Sequence, residues 1–498
     1  MKTENKVRLA LGLVLLVILV YWFPWVLADP LYTFMGHPFT FIAVAAFLTS
    51  LAMMFPRRTR RVLARHRRKL VVVLAVIAAL AAASELSRFL YVAKTLEVVQ
   101  VTQLPQLDPS SFRVVPYAVA RYWAEASFTS PTHRPGSYVF LGYVNGTPIW
   151  EIPIVPEPGF NYFTKKMVGY IAVWGDSFTP RREKVDAAFA YGIDHFHDIR
   201  WAAYIKAGLW GYKLSLEDAY IVRSGDTYWL AIPVVGWRIS AIYALPTVKG
   251  VLLASQDGRM EFLPADRAAE DPRLQGVPLV PESLARWYVE KLNYRRGIIN
   301  ALTYHRDMFQ LKDPSVYNRQ PWLLRDTEGN LWWVFAAEPW GKGGGVNRIF
   351  LVNARSPEIK VYEYRTPGNM LLIGPVRAVE QARAALPEYD WERFEAEEPI
   401  PFTLNGKLYW RVAIIPSEAS TIDKLIIVDA ETGETYIVED DATLARFLAS
   451  GQPQPAPQTP LEKIQELQRR IQEEIDRLQQ LLQELKELEE MLTNTTSR

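Results

Sequence analysis

The chain has 498 residues, a formal net charge of +2, and 49% hydrophobic against 22% charged residues. That length exceeds what one hydrophobic core supports, and the balanced charge gives no footing for nucleic-acid binding. With no cysteine, a thiolate nucleophile, a thiolate zinc site and an iron–sulfur cluster are excluded, and an exported domain would rely on its core in place of disulfides.

Three apolar stretches open the chain. Val7–Ala28, Pro38–Phe55 and Leu70–Val92 each read as a membrane-spanning helix, a span needing roughly 20 apolar residues. Between the second and third lie Arg57, Arg58, Arg60, Arg61, Arg65, Arg67, Arg68 and Lys69, whereas Asp29–His37, between the first and second, has no Lys or Arg. The positive-inside rule then puts the N-terminus and the arginine loop in the cytoplasm and everything after about residue 93 outside. Tyr21, Trp22, Phe23 and Trp25 fit an interfacial belt at the outer end of the first span. Residues 1–94 are thus expected to form a three-helix transmembrane region with the lipid bilayer as partner.

The exported part repeats itself. A glycine stands four residues before a tryptophan at Gly146 and Trp150, Gly225 and Trp229, Gly329 and Trp333, and Gly406 and Trp410. A second apolar run follows each, at 170–173, 251–254, 349–352 and 425–428. The phrase around Val115-Pro116 and Tyr122-Trp123 returns around Val280-Pro281 and Trp287-Tyr288. These recurrences predict two tandem halves, 95–265 and 266–445, each of two modules. Asn145-Gly146 and Asn405-Gly406 read as hairpin turns, whose two central residues need positive φ. Each module then reads as a helix followed by an antiparallel meander, giving an α+β fold. Tryptophan recurring at one structural position favours core packing over a carbohydrate or peptide groove.

In the last copy, Leu408–Pro416 leads into Asp429, Thr432 and Gly433. Residues of about 376–440 therefore resemble the PepSY family, whose pattern is a helix, strands, and an aspartate ahead of a Thr-Gly turn. Ser255 and Asn353 replace that aspartate in the second and third copies. The resemblance implies a small extracytoplasmic binding module and no catalyst.

Residues 446–460 are rich in Pro and Gln and read as an extended linker. From 461 to 492 the apolar positions Ile464, Leu467, Ile471, Ile475, Leu478, Leu482 and Leu485 recur at threes and fours, the seam of a coiled coil. Such a helix at the end of a spacer predicts a homo-oligomer. His195 and His197 are the single histidine cluster; on a strand both could reach one metal, but their surroundings read as helix, where they diverge. Asn145 and Asn494 lie in glycosylation sequons. No nucleotide, zinc-protease or serine-hydrolase motif occurs, so neither catalytic residues nor a cofactor are expected. The reading is a membrane-anchored, non-enzymatic protein, a scaffold that assembles through its coiled coil with itself and with other envelope or surface proteins. The alternatives are a metal-dependent enzyme at His195 and His197 and a subunit of a transport or channel complex.

Overall fold

The computed structural model describes residues 3–53, 57–196, 198–239, 244–315, 319–341, 345–364 and 371–450, together with 471, 472, 475 and 478. Met1–Asp441 form one compact unit and Ala442–Arg498 a second.

Helix α1 (Thr3–Trp22) stops ahead of Phe23-Pro24, since the residue before a proline is pushed out of the helical region. Helix α2 (Trp25–Gly36) leaves at 86° to it, followed by α3 (Pro38–Met53) and α4 (Arg57–Thr95). The arginine-rich stretch expected as a loop is helical. It contains no glycine or proline after Pro56, and arginine is a good helix former, so α4 runs through it. The expected three-helix membrane region is corrected accordingly. Among the described residues one helical segment, Val71–Thr95, is long and apolar enough to cross a membrane, and the bent pair α1 and α2 adds a second only when taken as one span. The 16 described residues of α3 fall short of a span.

Beyond α4, strand β1 (Val98–Val101) precedes four sheets. Sheet I holds β2 (His133–Pro135), β3 (Phe140–Val144), β4 (Thr147–Pro156), β5 (Gly169–Trp174) and β6 (Arg182–Asp186). Sheet II holds β7 (Lys213–Leu214), β8 (Tyr220–Ser224), β9 (Thr227–Ile239), β10 (Ala244–Ser255) and β11 (Met260–Pro264). Sheet III holds β12 (Phe309–Leu311), β13 (Trp322–Arg325), β14 (Leu331–Pro339), β15 (Arg348–Asn353) and β16 (Ile359–Glu363), with β1 parallel on its outer edge. Sheet IV holds β17 (Phe394–Leu404), β18 (Lys407–Pro416), β19 (Lys424–Asp429) and β20 (Thr435–Val438). Helices α5 (Tyr117–Ser127), α6 (Phe160–Thr164), α7 (Ile199–Ile205), α8 (Ala265–Glu270), α9 (Glu282–Lys291), α10 (Pro375–Ala384) and α11 (Asp441–Ser450) complete the described secondary structure apart from short turns.

One plan recurs in all four sheets. The first strand comes in two pieces that pair with opposite ends of the long tryptophan strand: β2 and β3 on β4, β7 and β8 on β9, β12 and β13 on β14. In sheet IV the pieces are fused into β17, and a bulge between Glu397 and Ile400 marks the former break.

The fold class is where the expectation fails. The α+β description has each helix cover its own sheet within separate halves. In the structure β-sheet dominates, and α7, α9 and α10 are each wedged between two consecutive sheets. Side chains of sheets I and II share one core with α7; sheets II and III share another with α9; sheets III and IV share a third with α10. Strand β14 feeds two of these cores, since Trp332 and Trp333 point to opposite faces of the pleat. Sheet IV returns to sheet I through α5: the Trp123 indole N–H donates to Ser420 O at 2.8 Å, and the rings of Phe112 and Phe402 meet edge-on at 5.2 Å. The four sheets therefore close into a ring, I to II to III to IV and back to I.

Candidate functional site

A buried carboxyl sits at every junction of the ring. Between I and II, Glu151 on β4 accepts the Ile221 N–H at 2.8 Å, and burial pushes its carboxyl up to about 8, so it is largely protonated at neutral pH. Between II and III, Asp218 accepts the Glu282 N–H at 2.9 Å, capping α9, and the Ser215 hydroxyl at 2.7 Å; burial raises it to about 6. Glu282 keeps exposed surface, yet the protein crowded around it, and then the Asp218 charge, raise its carboxyl as well. Between III and IV, buried Glu338 stands against Gly374, the residue ahead of α10, and pairs with Lys312 at 2.9 Å.

The closing junction, IV to I, is the most heavily charged. Glu398 accepts the Tyr117 N–H at 2.8 Å, capping α5, and meets Arg113 at 3.3 Å and Arg411 at 3.5 Å. Arg411 also donates to Val114 O at 2.6 Å, and burial lowers its guanidinium to about 10, leaving it charged at neutral pH. The Nε atoms of Arg113 and Arg411 are buried without a hydrogen-bond partner. Glu398 holds φ at 49°, a strained value for a glutamate, where the bulge of β17 aims it at α5.

A second concentration of contacts lies where the N-terminal helices meet the ring. The Trp201 indole donates to Tyr21 O at 2.8 Å and the Trp237 indole to Tyr32 O at 2.7 Å. Arg295 donates to Ala93 O at 3.1 Å and Leu96 O at 2.9 Å, and Tyr294 stacks on Phe89 at 5.2 Å. A Cβ on Gly36 would fall 2.2 Å from the Trp237 ring, so only glycine lets the two approach. Ala28 of α2 is fully buried in the core of sheets I and II.

The residues singled out in the sequence are distributed as follows. Gly146, Gly225, Gly329 and Gly406 all have positive φ in the turns leading into β4, β9, β14 and β18. Trp150, Trp333 and Trp410 donate to Val115 O, Val280 O and Ile373 O at 3.0, 2.8 and 2.7 Å, each acceptor two residues ahead of α5, α9 or α10. Trp229 has the Arg259 and Arg273 guanidiniums 5.3 and 5.2 Å from its ring, and Trp150 has that of Arg113 at 5.2 Å. His195 is buried in a turn ahead of α7, where its Nε2 accepts the Gly192 N–H at 3.0 Å, which leaves that nitrogen no lone pair for a metal; His197 lies outside the described residues. Among the described residues no group of three His, Asp or Glu could hold a metal. Asn145 is exposed at a turn, and Asn494 lies outside the described residues. Of the coiled-coil seam, Ile471, Ile475 and Leu478 are helical and exposed, while Ile464, Leu467, Leu482 and Leu485 lie outside the described residues. Sequence reasoning missed the junction carboxyls; Glu151 and Glu338 could have been found as single acids inside apolar strands, whereas Asp218 and Glu398 stand beside other acids and gave no such signal. A pocket of about 40 Å³ between sheets III and IV is partly open to the surface, lined by Leu107, Leu324, Trp332, Leu351, Phe402 and Leu408 and also by Arg325, Asp326 and Thr403.

No family model matches the chain, and no curated protein matches it. Solved structures similar to it include a glycosyl hydrolase from Bacteroides ovatus at 8% identity (68% of this chain, 80% of that one, TM-score 0.19) and an alpha-L-arabinofuranosidase from Clostridium thermocellum at 12% (64% and 76%, TM-score 0.19). The GH43_1 enzyme from Xanthomonas citri is similar at 11% (64% and 92%, TM-score 0.19). These are enzymes built on sheets, where the sequence pointed to a non-enzymatic, multi-pass, coiled-coil scaffold, and that expectation is set aside. TM-scores this low lend no activity to the present chain.

Proposed function

We propose that this is a membrane-anchored protein that carries its sheet ring directly on the outer surface of the bilayer and acts there. The observation that carries the reading is the docking of helix ends on the ring: Tyr21, Tyr32, Ala93 and Leu96 each give a backbone carbonyl to a side chain of the ring, so no free linker separates helix from sheet. The arginine-rich start of α4 belongs to the cytoplasmic side and the ring to the outside. Because the chain has no cysteine, single variants report sidedness cleanly. Thr59→Cys and Asp226→Cys, treated with a membrane-impermeant maleimide on intact cells, are expected to label at Asp226→Cys alone, with Thr59→Cys reacting after permeabilisation. Labelling of both, or of Thr59→Cys alone, removes this orientation.

A specific observation favours a second reading, an acid–base enzyme. Asp218 and Glu282 are two carboxyls raised at one junction, and one of them keeps exposed surface. A proton donor beside a weaker acid is the pairing that general acid–base catalysis uses. A panel of aryl glycosides and esters hydrolysed by the native chain and not by Glu282→Gln supports it; a panel that the native chain leaves intact dismisses it.

A further inference from the structure

The ring's most apolar surface lies at the end where the helices dock. Among the described residues of the ring, Phe160, Ile299, Leu302, Tyr304, Phe163 and Ile239 are the most exposed large apolar side chains, from 80% down to 57%. They come from three segments distant in sequence: α6, just after β4; the last residue of β9; and the turn 299–304 ahead of β12, which pairs with the final residues of β14. All three sit where tryptophan strands finish, opposite the glycine turns where those strands begin.

Each segment adjoins a helix end. Phe163 is 5.2 Å from Phe196, itself stacked 5.0 Å from Trp22, the last residue of α1. Ile239 is two residues past Trp237, the partner of Tyr32 in α2. The 299–304 turn follows Tyr294 and Arg295, which hold Phe89 and Ala93 of α4. Helix α2 presents Leu27, Leu31 and Phe34 to the surroundings on one face while burying Ala28 in the ring. It turns 86° from α1, so the two helices do not run on as one straight rod.

Soluble surfaces scatter single apolar side chains. Three clusters at one end, beside helix ends that carry an aromatic belt, match the headgroup–acyl boundary. Lys165 and Lys166 follow Phe163, and Arg238 precedes Ile239, placing cations at the level of phosphate headgroups.

We infer that this end of the ring is inserted into the outer leaflet, with α6, the tip of β9 and the 299–304 turn as lipid anchors; the inference rests on the membrane-anchored reading above. The test uses the full chain in vesicles of phosphatidylcholine and phosphatidylglycerol, with NBD attached in turn to Phe163→Cys, Leu302→Cys, Asp226→Cys and Val76→Cys. Asp226 adjoins the opposite end of β9, a 13-residue strand that spans about 40 Å. Doxyl-labelled phosphatidylcholine is expected to quench the probes at 163, 302 and 76, and aqueous iodide the probe at 226. Quenching by iodide at 163 and 302, with 76 still quenched by lipid, overturns the insertion and leaves the anchoring intact. Protection at 163 and 302 from both quenchers overturns it in favour of a protein covering that end. Loss of lipid quenching at 76 overturns the anchoring and the insertion together.

Discussion

Asp218 and Glu398 make the same joint in two electrostatic settings. Asp218, in the turn between β7 and β8, and Glu398, in the bulge of β17, each cap the helix of the next sheet, Asp218 across 64 residues of sequence and Glu398 across 281. Asp218 relies on a neutral hydroxyl, whereas Glu398 stands between two buried guanidiniums. Closing the longer loop costs slightly more than two doublings of length, about 1.3 kcal/mol by chain-entropy scaling. That small difference does not require a buried charge triad, whose desolvation offsets much of its attraction. Two arginines that are costly to leave unpaired would penalise any other register of the last sheet against the first, which is the role that comparing Glu398→Ala with Asp218→Ala tests.

The largest expected effect breaks the charged joint. Glu398→Ala strands Arg113 and Arg411 and uncaps α5, and a buried pair broken from one side costs about 3–5 kcal/mol. Urea unfolding in detergent should show that loss, and a change no larger than that of Asp218→Ala would erase the distinction between the joints. Glu151 sharpens the comparison as a junction with no cation in contact. Its carboxyl is raised from 4.5 to about 8, so the stability it contributes is full below about pH 4.5 and declines as pH rises toward 8, by about 1.4 kcal/mol for each tenfold fall in proton concentration. Thermal unfolding from pH 5 to 9 should fall for the native chain and stay flatter for Glu151→Gln, which becomes the more stable of the two above pH 8; parallel curves would show that Glu151 is not buried as described.

Smaller effects follow at Asp218. Its replacement by alanine removes a helix cap, worth about 0.5–2 kcal/mol. Asp218→Asn should keep the cap and remove the stability change between about pH 4 and 6 that its raised carboxyl brings; persistence of that change in the variant would assign it to another group. The mildest test compares tryptophans. Phenylalanine at Trp150, Trp333 or Trp410 forfeits one indole bond to the residue ahead of a helix, about 0.5–1.5 kcal/mol by equilibrium unfolding. At Trp229 the loss should track the arginines over its ring, so that added salt narrows the difference from native there and not at Trp333 or Trp410.

What the sequence carried was local. A glycine with positive φ four residues before a tryptophan marks a turn entering a strand, and both halves of that signal lie within five residues. Ring closure had no such signature, because its partners are 281 to 297 residues apart. The α+β expectation went wrong at the helices: an apolar stripe on α9 or α10 announces a buried face without saying that two sheets share it. Likewise the arginine run was read for its charge, which hid a composition well suited to helix. The histidine pair suggested a metal from spacing alone, and the turn that hands the Gly192 N–H to His195 Nε2 is invisible at that level.

The docking of α1, α2 and α4 also governs how the ring can be handled. A recombinant truncation begun after Thr95 would leave the indoles of Trp201 and Trp237 without their acceptors, empty the socket that Ala28 fills, and bare the aromatic face of Tyr294. Such a fragment is expected to clump in plain buffer, and crystallisation or binding work on the sheets calls for the intact chain in an amphiphile.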